Sequence, residues 1–295
     1  MTTALKPDDR RTAQRPANDP YAEVVVGGLK TARVSREHMS AMMVDDCFKV
    51  RRGQRAPKLV FASNGHAIAA AATNARFREV FETADIVHAD GQPVVIGSRL
   101  AGAPIPERSA TTDFIHDACK AAAQSGLSIF LLGATEDVNA RCAEILTAQY
   151  PGLKIAGRRN GYFKRDDEAA ICEEINASGA DILFVGLSVP FEYEFCVRNK
   201  ARIKAGWVVT CGGCYNFVTG DYSRAPEWMQ KYSLEWLYRL AREPKRLFWR
   251  YAVTNPIAVA LIVLNSYGLD RRPVKPDPFA PEDSAVVALR TRRAR

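Results

Sequence analysis

The residues of this 295-residue chain that could do chemistry fall in loops after apolar stretches and in one stretch near the C-terminus. Asp90 lies in Ala89-Asp90-Gly91-Gln92, after the apolar run 85–88. A carboxylate on a loop that follows a strand projects into the crevice where α/β proteins hold ligands, and it can accept a proton from a hydroxyl. Asp-Gly is also a common turn pair, so taken alone it reads first as a turn. Gly133-Ala134-Thr135-Glu136-Asp137 opens a helical pattern, and glycine ahead of a helix N-terminus can hold a phosphate. The chain has no GxGxxG and no GxxxxGKS/T, so neither a dinucleotide site nor a P-loop is supported, and a structural turn fits this loop equally well. Arg108, in Pro106-Glu107-Arg108-Ser109, gains meaning only beside a diphosphate, whose oxygens its planar fork matches.

The C-terminal stretch holds the densest chemistry. Read as helix, it places Trp236, Leu237, Leu240, Leu247, Phe248 and Tyr251 on one face, and Arg239, Arg242, Arg246 and Arg250 on another. Aromatic residues beside arginines suit the boundary between hydrocarbon and phosphate. The competing reading is that the apolar face covers the core or an interface between copies of the chain, which would make a homo-oligomer. Pro244 divides the stretch, so two short helices are expected instead of one. The longest apolar run, 256–264, is too short to span a bilayer, so any membrane contact is expected from one side.

Other chemistries find little support. His38, His66, His88 and His116 show no ligand spacing, and no Asp-x-Asp follows a strand. No metal and no cofactor are expected; a leaving diphosphate would be met by arginines or helix dipoles. GxSxG is absent. The seven cysteines form no framework, which suits a reduced cytoplasmic protein, and the lone Cys211-Gly212-Gly213-Cys214 reads better as small residues at a strand end than as half a zinc site. The N-terminus has no apolar core and does not read as a signal peptide. A net charge of +8 favours phosphate-bearing partners. Nucleic acid is set aside, because no recognisable module or basic-aromatic patch occurs outside the C-terminal stretch.

The elements that must position these residues alternate. Strands are expected at 23–26, 58–62, 85–88, 128–132, 154–156, 181–185 and 207–210, and helices at 36–50, 67–82, 92–100, 112–125, 136–150, 166–177 and 191–203. This predicts an α/β, Rossmann-like, mostly parallel sheet flanked by helices. The expected division is a polar, disordered 1–20, an α/β domain over 21–222, a helical appendage over 223–270 serving membrane and active site, and a disordered basic tail over 271–295.

Taken in order, Ala84-Asp85-Ile86-Val87-His88-Ala89-Asp90-Gly91, Glu107-Arg108-Ser109, Phe130-Leu131-Leu132-Gly133, Tyr150-Pro151, Gly161-Tyr162-Phe163, Asp181 to Leu187, Gly212-Gly213, Arg224-Ala225-Pro226, Glu235-Trp236-Leu237-Tyr238-Arg239-Leu240 and Glu243-Pro244 resemble the WecG/TagA/CpsF glycosyltransferases, glycosyltransferase family 26. The resemblance covers roughly 22–255. It implies an inverting, metal-independent transfer from a UDP-sugar to a polyprenyl-diphosphate-linked sugar at the cytoplasmic face of a bacterial membrane, in surface or exopolysaccharide synthesis. It implies that Asp90 is the base and Arg108 a catalytic partner. It places Asn64, Gly133, Tyr162, Gly186, Glu192 and Asn216 around the donor, and Arg224, Trp236, Arg239, Arg242 and Arg246 toward the acceptor diphosphate or the membrane. The chain departs from the family pattern at Ala62, where threonine is frequent, at Glu192, where glutamine is usual, and at Asn216, where aspartate is usual. An acidic Glu192 argues against a uronic acid donor through like-charge repulsion. The same departures motivate a second reading, a non-catalytic relative that binds lipid-linked saccharide or partner enzymes.

Overall fold

The computed structural model describes residues 21–269. The segments expected to be disordered, 1–20 and 271–295, lie outside the described residues. In chain order the elements are β1 (Glu23–Val26), β2 (Leu29–Ala32), α1 (Arg36–Arg51), β3 (Lys58–Ser63), α2 (Gly65–Thr73), α3 (Ala75–Glu82), β4 (Ile86–Ala89), α4 (Gln92–Leu100), α5 (Thr111–Ser125), β5 (Ser128–Gly133) and α6 (Glu136–Gln149). They continue with β6 (Lys154–Arg159), α7 (Glu168–Ala177), β7 (Ile182–Gly186), α8 (Phe191–Asn199), β8 (Trp207–Thr210), α9 (Cys214–Val218), α10 (Glu227–Lys231), α11 (Glu235–Arg242), α12 (Pro244–Leu264) and β9 (Tyr267–Gly268).

Six strands form one parallel sheet in the order β4-β3-β8-β7-β5-β6. β3 and β7 are buried along their whole length, as strands covered on both faces must be, and their sequences are near-continuous apolar runs. One face of the sheet packs on α2, α3, α4, α7, α8 and α12 through Ile68, Phe81, Val94, Ile175, Phe195 and Ile262. The other packs on α1, α5, α6 and α9 through Met43, Phe114, Leu146 and Tyr215. The expected Rossmann-like sheet flanked by helices is what the chain forms.

β3 and β8 are neighbours, yet the helix after β3 (α2) lies on the first face and the helix after β8 (α9) lies on the second. The connections therefore part between these two strands, and a crevice opens beyond their carboxyl ends. In an open α/β sheet this is where a ligand binds.

Several expectations need correction. The helix expected over 67–82 is two helices. Asn74 turns its side chain to accept from the Phe77 N–H (3.0 Å), ending α2 and capping α3 with one residue. The helix expected to 203 stops at Asn199, and the strand expected to end at 156 runs to Arg159. A hairpin, β1-β2, was not expected. Gly27 and Gly28 both take positive φ (59° and 85°), the two-residue turn that suits paired strands. The larger correction concerns α12. It is a continuous 21-residue helix with Pro256 inside it, and by length and composition it is long and apolar enough to cross a bilayer. The break expected at Pro244 is present, because Glu243 leaves helical geometry between α11 and α12. Counting only the unbroken apolar run from 256 missed Phe248 to Val253, which extend the same helix N-terminally.

Leu247, Tyr251, Ala258 and Ile262 of α12 are buried, Ala258 and Ile262 in the core shared with α2 and α4, and Tyr251 against Trp236 of α11. The approach is close. A Cβ on Gly97 of α4 would stand 2.7 Å from both Ile262 and Val26. Outward, Phe248, Trp249, Val253, Val259 and Val263 are exposed. The apolar stripe expected over both helices is therefore divided: Leu247 and Tyr251 serve the core, while Trp236, Leu237 and Phe248 remain exposed.

Candidate active site

The crevice is built from the residues that end β3, β4, β7 and β8. The Ser63 carbonyl, at the end of β3, accepts from the Asp90 N–H (2.9 Å) and the Gly91 N–H (3.1 Å), which fixes the loop after β4 beside the loop after β3. Asn64 follows. Its Oδ1 accepts from the Ala67 N–H and caps α2, so its Nδ2 is directed elsewhere and donates to Asp90 Oδ2 (3.1 Å). Asp90 Oδ1 accepts from the Thr111 N–H (2.9 Å) at the start of α5, with the Thr111 hydroxyl at 3.4 Å. The carboxylate thus sits at a helix N-terminus, where negative charge is favoured. Burial pushes the Asp90 carboxyl up, but Arg108, the Thr111 N–H and Asn64 outweigh it and hold the group below its ordinary value. It is ionised, oriented by three donors, and half-buried.

Arg108 reaches the same place from the loop before α5. Its Nε donates to the Asp90 carbonyl (2.6 Å), and its Nη1 donates to Glu235 of α11 (2.8 Å). The loop is held from beneath by His88, whose buried Nδ1 lies 2.8 Å from the Ser109 carbonyl. Burial lowers the His88 pKa, so this ring is a neutral support.

Glu192, at the start of α8 after β7, is buried, and its Oε2 accepts from the Gly212 N–H (2.8 Å) after β8. Burial, reinforced by the nearby Asp90 charge, pushes its carboxyl up to about 8 in spite of backbone donors. At neutral pH it carries a proton, and a neutral carboxyl is close in shape to the glutamine usual at this position. The charge repulsion expected against an acidic donor therefore does not operate at neutral pH.

Gly133 and Gly186 owe their identity to backbone packing. A Cβ on Gly133 (φ 137°) would meet the Gly186 carbonyl oxygen at 2.2 Å, and one on Gly186 would meet the Gly212 oxygen at 2.8 Å. These glycines let the ends of β5, β7 and β8 close together and form the crevice floor. Gly161, 3.1 Å by the same measure from Gly133, brings the loop after β6 alongside, and Tyr162 on that loop is 78% exposed. Asn216 lies on α9, half-buried, its carbonyl accepting from the Tyr222 N–H (2.9 Å). Cys211 and Cys214 are buried thiols, as small residues at a strand end should be.

The C-terminal residues divide by role. Arg224 is held by Asp113 of α5 and by Gln230 (2.8 Å), so it docks the segment onto the body. Trp236 packs edge-on against Tyr251 (5.9 Å), and Arg246 pairs with Glu243. Arg239 lies over the Phe217 ring (5.1 Å) and, with Arg242, Tyr222, Tyr238 and Glu243, lines a cavity of about 340 Å³ between α9 and α11. Arg239 is one helical turn from Glu235, about 6 Å along the axis. Helix α11 therefore runs from the Asp90 crevice to this cavity.

Sequence reasoning missed Thr111, Glu235 and Asp113 as functional neighbours. Thr111 carried a signal, a Thr-Thr-Asp sequence opening a helix. Pairings of Arg108 with Glu235 and of Arg224 with Asp113 span 127 and 111 residues, and no local pattern announces them.

The fold is a Rossmann-like parallel α/β sheet, and its switch-point crevice holds an oriented carboxylate with an arginine beside it. The sequence matches the model of the Glycosyl transferase WecG/TagA/CpsF family over residues 24–272, and the chain belongs to that family. It is a glycosyltransferase. It is 32% identical over 190 residues to the N-acetylglucosaminyldiphosphoundecaprenol N-acetyl-beta-D-mannosaminyltransferase of Bacillus spizizenii, covering 64% of this chain and 72% of that protein. The protein of the same name in Bacillus subtilis is 31% identical over 186 residues, covering 63% of this chain and 71% of that protein.

Proposed function

We propose that this glycosyltransferase moves a sugar, with inversion, from a UDP-sugar to a polyprenyl-diphosphate-linked saccharide at the cytoplasmic face of the membrane, in surface polysaccharide synthesis. The named relatives support the acceptor class, since their names specify a diphosphoundecaprenol-linked N-acetylglucosamine. The observation that carries the reading is the ionised Asp90 carboxylate, aimed by Asn64 and Thr111 at the switch-point crevice with Arg108 beside it.

In this reading Asp90 Oδ2 takes the proton of the acceptor hydroxyl as its oxygen attacks the anomeric carbon. The bond from that carbon to the UDP oxygen breaks on the opposite face, which inverts the configuration. Arg108 meets the charge that develops on the leaving diphosphate. Arg239 and Arg242 suit the acceptor's diphosphate, and the outward face of α12 suits the lipid surface from which the acceptor extends. Arginines supply the positive charge in this scheme, so activity should survive chelation of divalent cations.

The test is a screen of UDP-sugars against polyprenyl-diphosphate-linked N-acetylglucosamine with product mass measured. A mass increase of one sugar with release of UDP supports the proposal. Absence of product with every donor, alongside intact vesicle binding, supports the non-catalytic reading.

A further inference from the structure

We propose that Glu235, from α11, is a positioning residue for Arg108 that fixes the plane of its guanidinium beside Asp90. The inference rests on the function proposed above. Its basis is the ion pair itself: Arg108 Nη1 lies 2.8 Å from Glu235 Oε2, and the two side chains are only 18% and 19% exposed. Arg108 belongs to the loop before α5 and Glu235 to the first turn of α11, 127 residues later.

A guanidinium is a planar fork with five N–H donors. One bond, from Nε to the Asp90 carbonyl, anchors it to the loop that carries the base but leaves the plane free to swing. The second bond, from Nη1 to Glu235, fixes that plane and leaves other N–H groups for phosphate oxygens. Among side chains, a carboxylate holds a guanidinium by charge as well as by geometry, and at this burial the pair is shielded from much of the solvent.

The same helix presents Arg239 and Arg242 to the cavity beside α9. Docking of α11 by Glu235 therefore sets two things at once: the orientation of Arg108 at the base, and the place of the arginine pair about one and two turns along. Arg224, clamped by Asp113, holds the preceding segment and adds its charge near Glu235 and Asp90, with its hydrogen bonds going to Asp113 and Gln230. The hydrogen-bonded link from α11 to Arg108 runs through Glu235.

The opposite role for the same contact is a competitor: Glu235 would occupy the place of a substrate phosphate and have to be displaced. The two roles predict opposite effects of removing the charge. The experiment compares wild type, Glu235→Gln, Glu235→Asp, Arg108→Ala and the double variant Arg108→Ala/Glu235→Gln, in the full chain with vesicle-borne acceptor, recording kcat and donor KM separately and the thermal unfolding midpoint of each.

The positioning role predicts that Glu235→Gln lowers kcat by about tenfold to a hundredfold with donor KM nearly unchanged, the cost expected of a misplaced catalytic group. Glu235→Asp restores part of the loss. In the Arg108→Ala background the Glu235→Gln change has no further effect on kcat, because its action passes through the arginine. Unchanged or raised kcat in Glu235→Gln overturns the proposal and marks the contact as a competitor. Additive losses in the double variant overturn it as well and mark Glu235 as structural. If Glu235→Gln fails to fold, the same comparison is made with Glu235→Asp, whose loss must again vanish in the Arg108→Ala background. A wild type that makes no product overturns the proposed function and this assignment with it, whereas an active wild type with additive variants overturns the assignment alone.

Discussion

Two carboxyls a few residues' reach apart in the crevice are driven in opposite directions. Asp90 gains donors faster than it loses water and is held ionised, so, as the proposed base, it should slow turnover by protonation only below pH 3.8, its ordinary value. Glu192 is buried with its backbone donors outweighed, and its carboxyl is pushed up to about 8 from 4.5. The folded protein binds this proton more tightly than the unfolded chain does. Its stability contribution is therefore full below pH 4.5 and is lost as pH rises to about 8. Glu192→Gln removes the titration. Urea unfolding at pH 5 and pH 8.5 should show wild type losing several kcal/mol relative to Glu192→Gln across that interval, as an order of magnitude from about 1.4 kcal/mol per pH unit. Parallel loss in both proteins would show that Glu192 does not titrate there.

At the scale of elements, the sheet was legible and the appendage only in part. The inner strands of the parallel sheet, such as β3 and β7, announce themselves as short apolar runs because both faces are covered. The loop that carries Asp90 follows from a strand end, since the crevice of such a sheet lies there, whereas Arg108 lies between α4 and α5 and only the family resemblance pointed to it. What stayed hidden is set by contacts distant in sequence. Asn74 resembles any polar residue in a helix until its cap to Phe77 is seen, and β2 is four residues with an exposed lysine. Helix α12 looked short because only the apolar run that begins at Pro256 was counted, and the helix in fact passes through that proline. It continues because Pro256 is exposed and packing on α2 and α4 outweighs the backbone bond lost, a cost of about 3 kcal/mol. That packing has a specific weak point. Gly97→Val places atoms where Ile262 and Val26 already lie, and should cost about 1–3 kcal/mol and loosen α12 from α4. Limited proteolysis should then cut within 244–264 while the sheet survives; unchanged protection would mean that α12 is held elsewhere.

Across the whole molecule, polar chemistry and apolar surface occupy one continuous path: Asp90 and Arg108 in the crevice, Glu235 to Arg242 along α11, then the outward residues of α12. Phe248, Trp249, Val253, Val259 and Val263 are left in water by the fold, with Trp249 74% exposed. Removing an apolar side chain of this size from water contributes about 1.5–3 kcal/mol, so a few of them suffice for reversible attachment to a bilayer. Phe248→Glu/Trp249→Glu should abolish sedimentation with anionic vesicles while leaving thermal unfolding unchanged. Undiminished sedimentation would remove α12 as the contact and turn attention to the basic segment beyond residue 269.

The central claim is that Asp90, in the switch-point crevice, is the base of a sugar transfer to a lipid-linked acceptor. The most direct measurement is product mass and single-turnover rate with a UDP-sugar and polyprenyl-diphosphate-linked N-acetylglucosamine, for wild type and for Asp90→Asn of equal thermal stability. The account predicts a product one sugar heavier from wild type and a rate lower by about 10²–10⁴-fold in Asp90→Asn. A variant that turns over at the wild-type rate would contradict it.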